Sequence, residues 1–202
     1  MGHTSRSGTA HYLGTVEVHR RPVNRAALDQ GTALYIEVFE SPHEFRLSSK
    51  VGARRPLHVT ALGKALLAFL PDERREKTLN AINFEPVTPN GIINSDEFRR
   101  ELDRVRQKGY ALDNEEVVLG ARCFGAPILG AYRAPIAAIS VSGPVTRLSL
   151  EAVPVLAGTL LNAARAISVG MGFSPGDSEP TDAPLIAKKR SVVQIRISWE
   201  CG

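Results

Sequence analysis

DNEEVVLGARCFGAPILGAYRAPIAAISVS, residues 113–142, is the stretch whose reading settles the fold class. Beyond an acidic turn at Asp113–Glu116 it holds three strand-like runs: Val117–Leu119, Ala121–Ile128 and Ile136–Ser142. Ala134-Pro135 sits between the last two, which predicts a hairpin, because proline interrupts a ladder and favours a turn. Successive side chains on a strand point to opposite faces. Ala121, Cys123 and Gly125 therefore share one face, Ser140 and Ser142 share another, and Ile139 and Val141 point away from the serines.

Working outward towards the N-terminus, Phe98, Leu102 and Val105 recur at helical spacing over Asp96–Lys108, with Ser95 as cap and Gly109 as stop. Residues 83–94 (NFEPVTPNGIIN) carry two prolines and Asn90-Gly91 and read as a loop. From Thr60, a candidate N-cap, Leu62, Leu66, Leu67 and Leu70 again fall at helical spacing. Gly63 in that first turn costs about 1 kcal/mol against alanine unless something approaches closely there. Pro71 breaks this helix, and Asp72–Leu79 forms a charged, exposed one. Further upstream, Gly14–His19 and Ala33–Phe39 read as strands. The turn signal Asp29-Gln30-Gly31 between them predicts that these two pair antiparallel. Ser41-Pro42 ends the second strand, and Phe45–Lys50 is a third candidate.

Towards the C-terminus, Val155, Leu156, Leu160, Ala163, Ala164 and Ile167 mark an apolar stripe on a helix spanning Glu151–Met171. After Phe173 the composition turns to SPGDSEPTDAP, a flexible linker by its proline, serine and acid content. A basic, then β-prone end follows, AKKRSVVQIRISWECG, and the sequence does not tie it to the domain. No internal repeat is visible. Helices grouped between strands, rather than alternating with each, imply an α+β fold. The expected core is one mostly antiparallel sheet of about five or six strands flanked by helices.

Composition narrows the function classes. The chain has 202 residues, 43% hydrophobic, enough for a packed core. Its 25 Lys+Arg and 21 Asp+Glu leave a net charge of +4, spread along the sequence, which does not mark a nucleic-acid surface. Cys123 and Cys201 form no disulfide framework and no C-x-x-C pattern, so reduced, cytoplasmic chemistry is expected. The apolar runs Val59–Leu70 and Ala134–Val141 fall short of the ~20 residues of a spanning helix, and the polar start is no signal peptide, so no membrane partner is expected.

Catalytic patterns are sparse. All five histidines (His3, His11, His19, His43, His58) lie in the first 58 residues, and no G-x-S-x-G elbow occurs. Only His58 has an ordered context from which to serve Cys123 or Ser140 as a base, and such a histidine is more often a hydrogen-bonded structural residue. H-x-x-x-H spacing, a P-loop and G-x-G-x-x-G are all absent, so neither metal nor cofactor is expected. A binding constellation remains: two hydroxyls and a thiol on small, apolar strand faces, beside a helix start at Thr60-Ala61-Leu62-Gly63. The free N–H groups of that start suit a carboxylate. The plainer alternative is that these are small residues where a helix packs closely, beside an ordinary capped helix.

VGARRPLHVTALGKALLAFLP (51–71), KGYALDNEEVVLGARCFGAPI (108–128) and AAISVSGP (137–144) together resemble the effector-binding domain of IclR-type bacterial transcriptional regulators. AARAISVGMG (163–172) is similar to that domain's last helix, and the resemblance covers about residues 14–173. It implies a GAF-like fold with a cavity on one side of a curved sheet. By position it implies a ligand-binding set of Ala61, Leu62, Asp113, Ala121, Cys123, Gly125, Ser140 and Ser142, with Leu47 transferred from a less similar stretch. It further implies a small-molecule effector, an organic acid or aromatic metabolite that bears a carboxylate, a homodimer or homotetramer, and contact with DNA only through a winged helix-turn-helix domain. Such a domain needs about 60–75 residues, and residues 1–13 are too few for one. The expected organisation is a polar N-terminal remnant (1–13), a sensing domain (14–173) and a tail (174–202). The competing classes are an enzyme acting on a small acid through Cys123, and a dimerisation module with a filled pocket.

Overall fold

The computed structural model describes residues 15–18, 22–39, 49–174 and 194–197, with side chains described for 22–39 and 49–174. Six strands form one antiparallel sheet. They are β2 (Val23–Asp29), β3 (Thr32–Phe39), β4 (Arg54–Arg55), β5 (Ala111–Asn114), β6 (Ala121–Leu129) and β7 (Pro135–Pro144), in the order β4-β3-β2-β7-β6-β5. The expected α+β architecture is what the chain adopts, with the sheet curled into a half-barrel. The remaining strands, β1 (Thr15–Val18) and β8 (Gln194–Ile197), pair parallel with each other in a separate two-stranded sheet.

The N-terminal pairing differs from the sequence reading. Ala33–Phe39 does not pair with Thr15–Val18; it pairs antiparallel with β2, joined through Gln30-Gly31, and with β4. Both turn residues have positive φ, 47° and 74°, the twist that suits a two-residue hairpin. VNRAALD has little intrinsic strand preference and no clean alternation. It is a strand because β3 and β7 satisfy its backbone from both sides. Val117–Leu119, read as a strand, is instead part of a tight excursion between β5 and β6, with Glu115 at φ 63° and Gly120 at φ 80°. Most of the third candidate strand, Phe45–Lys50, lies outside the described residues. Only Ser49 and Lys50 of it are described, and they are not strand.

Among the described residues, four helices cover the sheet. α1 (Ala61–Ala68), α2 (Asp72–Asn80) and α3 (Ser95–Lys108) lie over one face, and α4 (Val153–Gly170) over the other. Thr60 caps α1 as expected, its hydroxyl accepting from Gly63 N–H at 3.0 Å. The cap of α3 is Asn94 rather than Ser95; its Oδ1 accepts from Glu97 N–H at 2.9 Å. Gly109, left-handed at φ 80°, ends α3. Strand parity divides the core in two. Phe124, Ala126 and Ile128 of β6 and Ile139 and Val141 of β7 pack with Leu160, Ala164 and Ile167 of α4. Ala138, on the opposite face, packs with Leu62, Leu66 and Phe98 beneath α1 and α3.

The α4 stripe is as expected at Leu160, Ala163, Ala164 and Ile167, but differs in the first turn, where Val153 and Ala157 are buried and Val155 is 76% exposed. At 18 residues α4 is long and apolar enough to cross a membrane by composition, but its inner face is packed on β6 and β7.

Candidate functional site

The N-terminus of α1 is pressed onto β6. A Cβ on Gly63 would lie 2.4 Å from Leu57 O, and one on Gly125 would lie 2.9 Å from Ala61 O. Both positions therefore need glycine: Gly63 lets the first turn of α1 close on the segment before it, and Gly125 seats that turn against the sheet. Thr60 occupies the Gly63 and Lys64 amides, leaving the first two helix amides, Ala61 and Leu62, without a partner among the described residues.

Ala61 and Leu62 line a cavity of about 260 Å³. The structure brings Ala61, Leu62, Asp113, Ala121, Cys123, Ser140 and Ser142 together around it. Register explains the convergence: Asp113 lies opposite Cys123, Cys123 opposite Ser142, and Gly125 opposite Ser140. Of the remaining expected residues, Gly125 shares this face but lies under the Ala61 carbonyl rather than in the cavity wall. It is a packing glycine, as the plainer reading held. Leu47 lies outside the described residues.

Sequence reasoning missed several wall residues. Asn24, Tyr35, Ser49, Arg55, Val117 and Val118 also line the cavity, and Thr60 does so besides capping. Tyr35 could have been placed by alternation along β3. Asn24 carried no local signal, since its strand was unrecognised. Its side chain is 3% exposed and its Oδ1 has no hydrogen-bond partner among the described residues.

Three groups set the electrostatics. Asp113 Oδ1 accepts from the N–H groups of Glu116 at 2.8 Å and Val117 at 3.4 Å, which folds the acidic turn back on itself. Burial nevertheless pushes the Asp113 carboxyl up to about 6, against the lowering effect of those amides and of Lys64. Lys64, 1% exposed, reaches from α1 to Glu116 Oε1 at 2.6 Å and to Leu112 O at 2.9 Å. Burial also raises Glu116, to about 7, with the Lys64 ammonium opposing it. Lys64 thereby ties the helix that offers the free amides to the turn that holds Asp113.

Cys123 is a poor nucleophile here. Burial first, and then the negative charge of Asp113, raise its thiol well above the usual range. His58 is not part of the cavity wall. Its Nε2–H donates to Glu85 O at 3.0 Å, and its ring meets Phe84 and Phe98 edge-on at 5.4 and 6.4 Å between centroids. Burial lowers its pKa, so it is a neutral core histidine. Among the described residues no group of three or more His, Cys, Asp or Glu is arranged to hold a metal ion.

A curled antiparallel sheet, with a helix N-terminus beside a small, mostly apolar cavity that carries a few polar groups, defines an α+β domain of the ligand-pocket type. The chain belongs to the family described as bacterial transcriptional regulator IclR C-terminal, whose model matches residues 17–169. It is 37% identical over 154 residues to the HTH-type transcriptional regulator KdgR of Dickeya chrysanthemi, a match covering 76% of this chain and 50% of that one. The chain spans about half the length of the curated relatives it matches. Among solved structures, the Thermotoga maritima IclR superposes with a TM-score of 0.73 at 33% identity, covering 76% of this chain and 62% of that one. The inducer-binding domain of the PobR transcription factor from Acinetobacter, a double mutant in complex with 3-hydroxybenzoic acid, superposes with a TM-score of 0.65 at 27% identity. That match covers 73% of this chain and 87% of the other.

Proposed function

We propose that the cavity binds a small organic acid and that the parent protein uses its occupancy to regulate transcription. One observation carries this reading: Ala61 and Leu62, whose amides have no partner among the described residues, line the same cavity as Ser140 and Ser142. Helix-terminal amides favour an anion, and serine hydroxyls add donors. The ligand carboxylate sits there. Asp113 accepts from a ligand hydroxyl or, when protonated, donates to a carbonyl, while Leu62 and Cys123 limit size. A volume of about 260 Å³ falls just below the ~300–1,000 Å³ of drug-sized sites, which favours a small metabolite. The hydroxybenzoic acid in the related inducer-binding domain supports the same ligand class.

No bond-making step is involved. Occupancy acts by favouring one conformation of a homodimer or homotetramer, read out through a winged helix-turn-helix domain of the parent regulator in the cytoplasm. The raised Cys123 thiol counts against turnover by this residue. A thermal-shift screen of organic acids tests the proposal, because a ligand specific to the folded state must raise the melting temperature. A hit whose effect is lost in Ser140→Ala/Ser142→Ala supports it; a panel with no hit overturns it. Incubating the hit with untreated and thiol-blocked protein separates sensing from catalysis, since turnover in the untreated protein alone contradicts a pure sensor.

A further inference from the structure

Ser140 and Ser142 line the cavity from β7, and Ala61 and Leu62 line it from α1. The cavity's other wall, built by β2, β3 and β4, holds polar groups that the organic-acid reading leaves idle. Arg54 and Arg55 are adjacent in β4, yet only Arg54 is matched: it pairs with Asp29 at the hairpin turn. Arg55 lines the cavity, is half-buried, and has no carboxylate within ion-pair distance among the described residues. Beside it Tyr35, almost fully buried, offers a phenol that burial keeps protonated. Asn24 pairs with Ser140 in the β2–β7 register, and its strand lies between those that carry Ser140 and Tyr35. Its buried Oδ1 lacks any partner among the described residues.

Each group restricts what can occupy the cavity. A partly desolvated guanidinium without an acid beside it calls for an anion, best a carboxylate that its planar fork can grip. A carbonyl oxygen such as Asn24 Oδ1 can only accept, so a carboxylate does not satisfy it, whereas a hydroxyl does. Leaving such an acceptor buried and unpaired is costly, which gives a hydroxyl-bearing ligand a specific advantage.

We infer that Arg55, Tyr35 and Asn24 form a second recognition pole, and that the cavity takes a short hydroxy dicarboxylate. One carboxylate lies on the Ala61 and Leu62 amides with Ser140, the second lies on Arg55 and Tyr35, and the hydroxyl between them donates to Asn24. This rests on the organic-acid reading and narrows it. A monocarboxylate fills only the first pole, and an unsubstituted dicarboxylate leaves Asn24 Oδ1 unpaired.

Titration calorimetry of the purified chain with malate, succinate and 3-hydroxybutyrate tests the inference. Malate is expected to bind at least about tenfold more tightly than 3-hydroxybutyrate, the value of one charge-assisted contact. Arg55→Gln erases that advantage and leaves 3-hydroxybutyrate within about twofold of its original affinity, while Arg55→Lys keeps part of it. Asn24→Ala removes the preference for malate over succinate. Should that buried variant not fold, the Arg55 pair, at a sheet edge, still decides the matter. If 3-hydroxybutyrate binds and malate gains nothing, or Arg55→Gln leaves the ratio unchanged, the second pole is wrong and the organic-acid reading stands. If no acid of the panel binds, or Ser140→Ala/Ser142→Ala leaves every affinity unchanged, the organic-acid reading fails and takes the second pole with it.

Discussion

Asp113 and Glu116 share one turn, and both hold their protons more tightly folded than unfolded. Asp113 moves from 3.8 to about 6 and Glu116 from 4.5 to about 7, each mainly through burial. A folded value above the unfolded one contributes stability that is full below the unfolded value and is lost as pH rises through the folded one. The ligand-free protein is therefore expected to lose on the order of a few kcal/mol between about pH 4 and pH 8 from these groups. Urea titrations across that range check this, and Asp113→Asn should flatten the slope. A flat profile in the parent, or an unchanged slope in the variant, contradicts the burial argument. Ser140, Ser142, Cys123 and Ala121 were legible in the sequence because strand parity is a local property. Asn24 and Arg55 were not, because each meets the cavity through strand pairings that no local pattern encodes.

At the scale of elements, α1 is held by one glycine within it, one glycine of β6 beneath it and one ion pair beside it. Gly125→Val should displace the α1 N-terminus, since even a Cβ meets Ala61 O at 2.9 Å. Overpacking of this kind costs about 1–3 kcal/mol, or more where backbone must move. The expected result is a lower denaturation midpoint together with loss of acid binding. Lys64→Met leaves Glu116 buried without its cation, and breaking one side of a buried pair costs about 3–5 kcal/mol. Because Glu116 can take up a proton, the cost should shrink at pH 5.5 relative to pH 8. Lys64→Met/Glu116→Leu should recover most of the loss at both pH values. Chemical denaturation of the three proteins at the two pH values decides this. The α1 cap and the α3 stop were visible in sequence because Thr60 and Gly109 act within four residues of themselves. β2 was invisible, because VNRAALD owes its strand state to neighbours on either side.

For the whole molecule, the cavity joins strands from the two ends of the sheet order, β5 and β4, to a single helix start. A ligand spanning it restrains elements that are otherwise linked mainly through the sheet. At a concentration a hundred times its dissociation constant, it should add about 2.7 kcal/mol to stability. For a chain of this size that is a rise of very roughly 5–10 °C in melting temperature. A thermal scan against ligand concentration measures it, and the shift should grow with the logarithm of concentration once the site is saturated. A melting temperature that stays constant means the bound molecule does not distinguish the folded state.

The sequence by itself determined the α+β class, the antiparallel β6–β7 hairpin, the capped α1 and the face on which Cys123, Ser140 and Ser142 lie. Each follows from a period or a cap acting over a few residues. Tertiary structure alone decided that β2 is a strand, that Gly125 is covered rather than open, and that Asn24, Tyr35 and Arg55 join the cavity. The reason is physical: those outcomes depend on which distant backbones pair and how closely a helix approaches, and such contacts are fixed only when the whole sheet has closed.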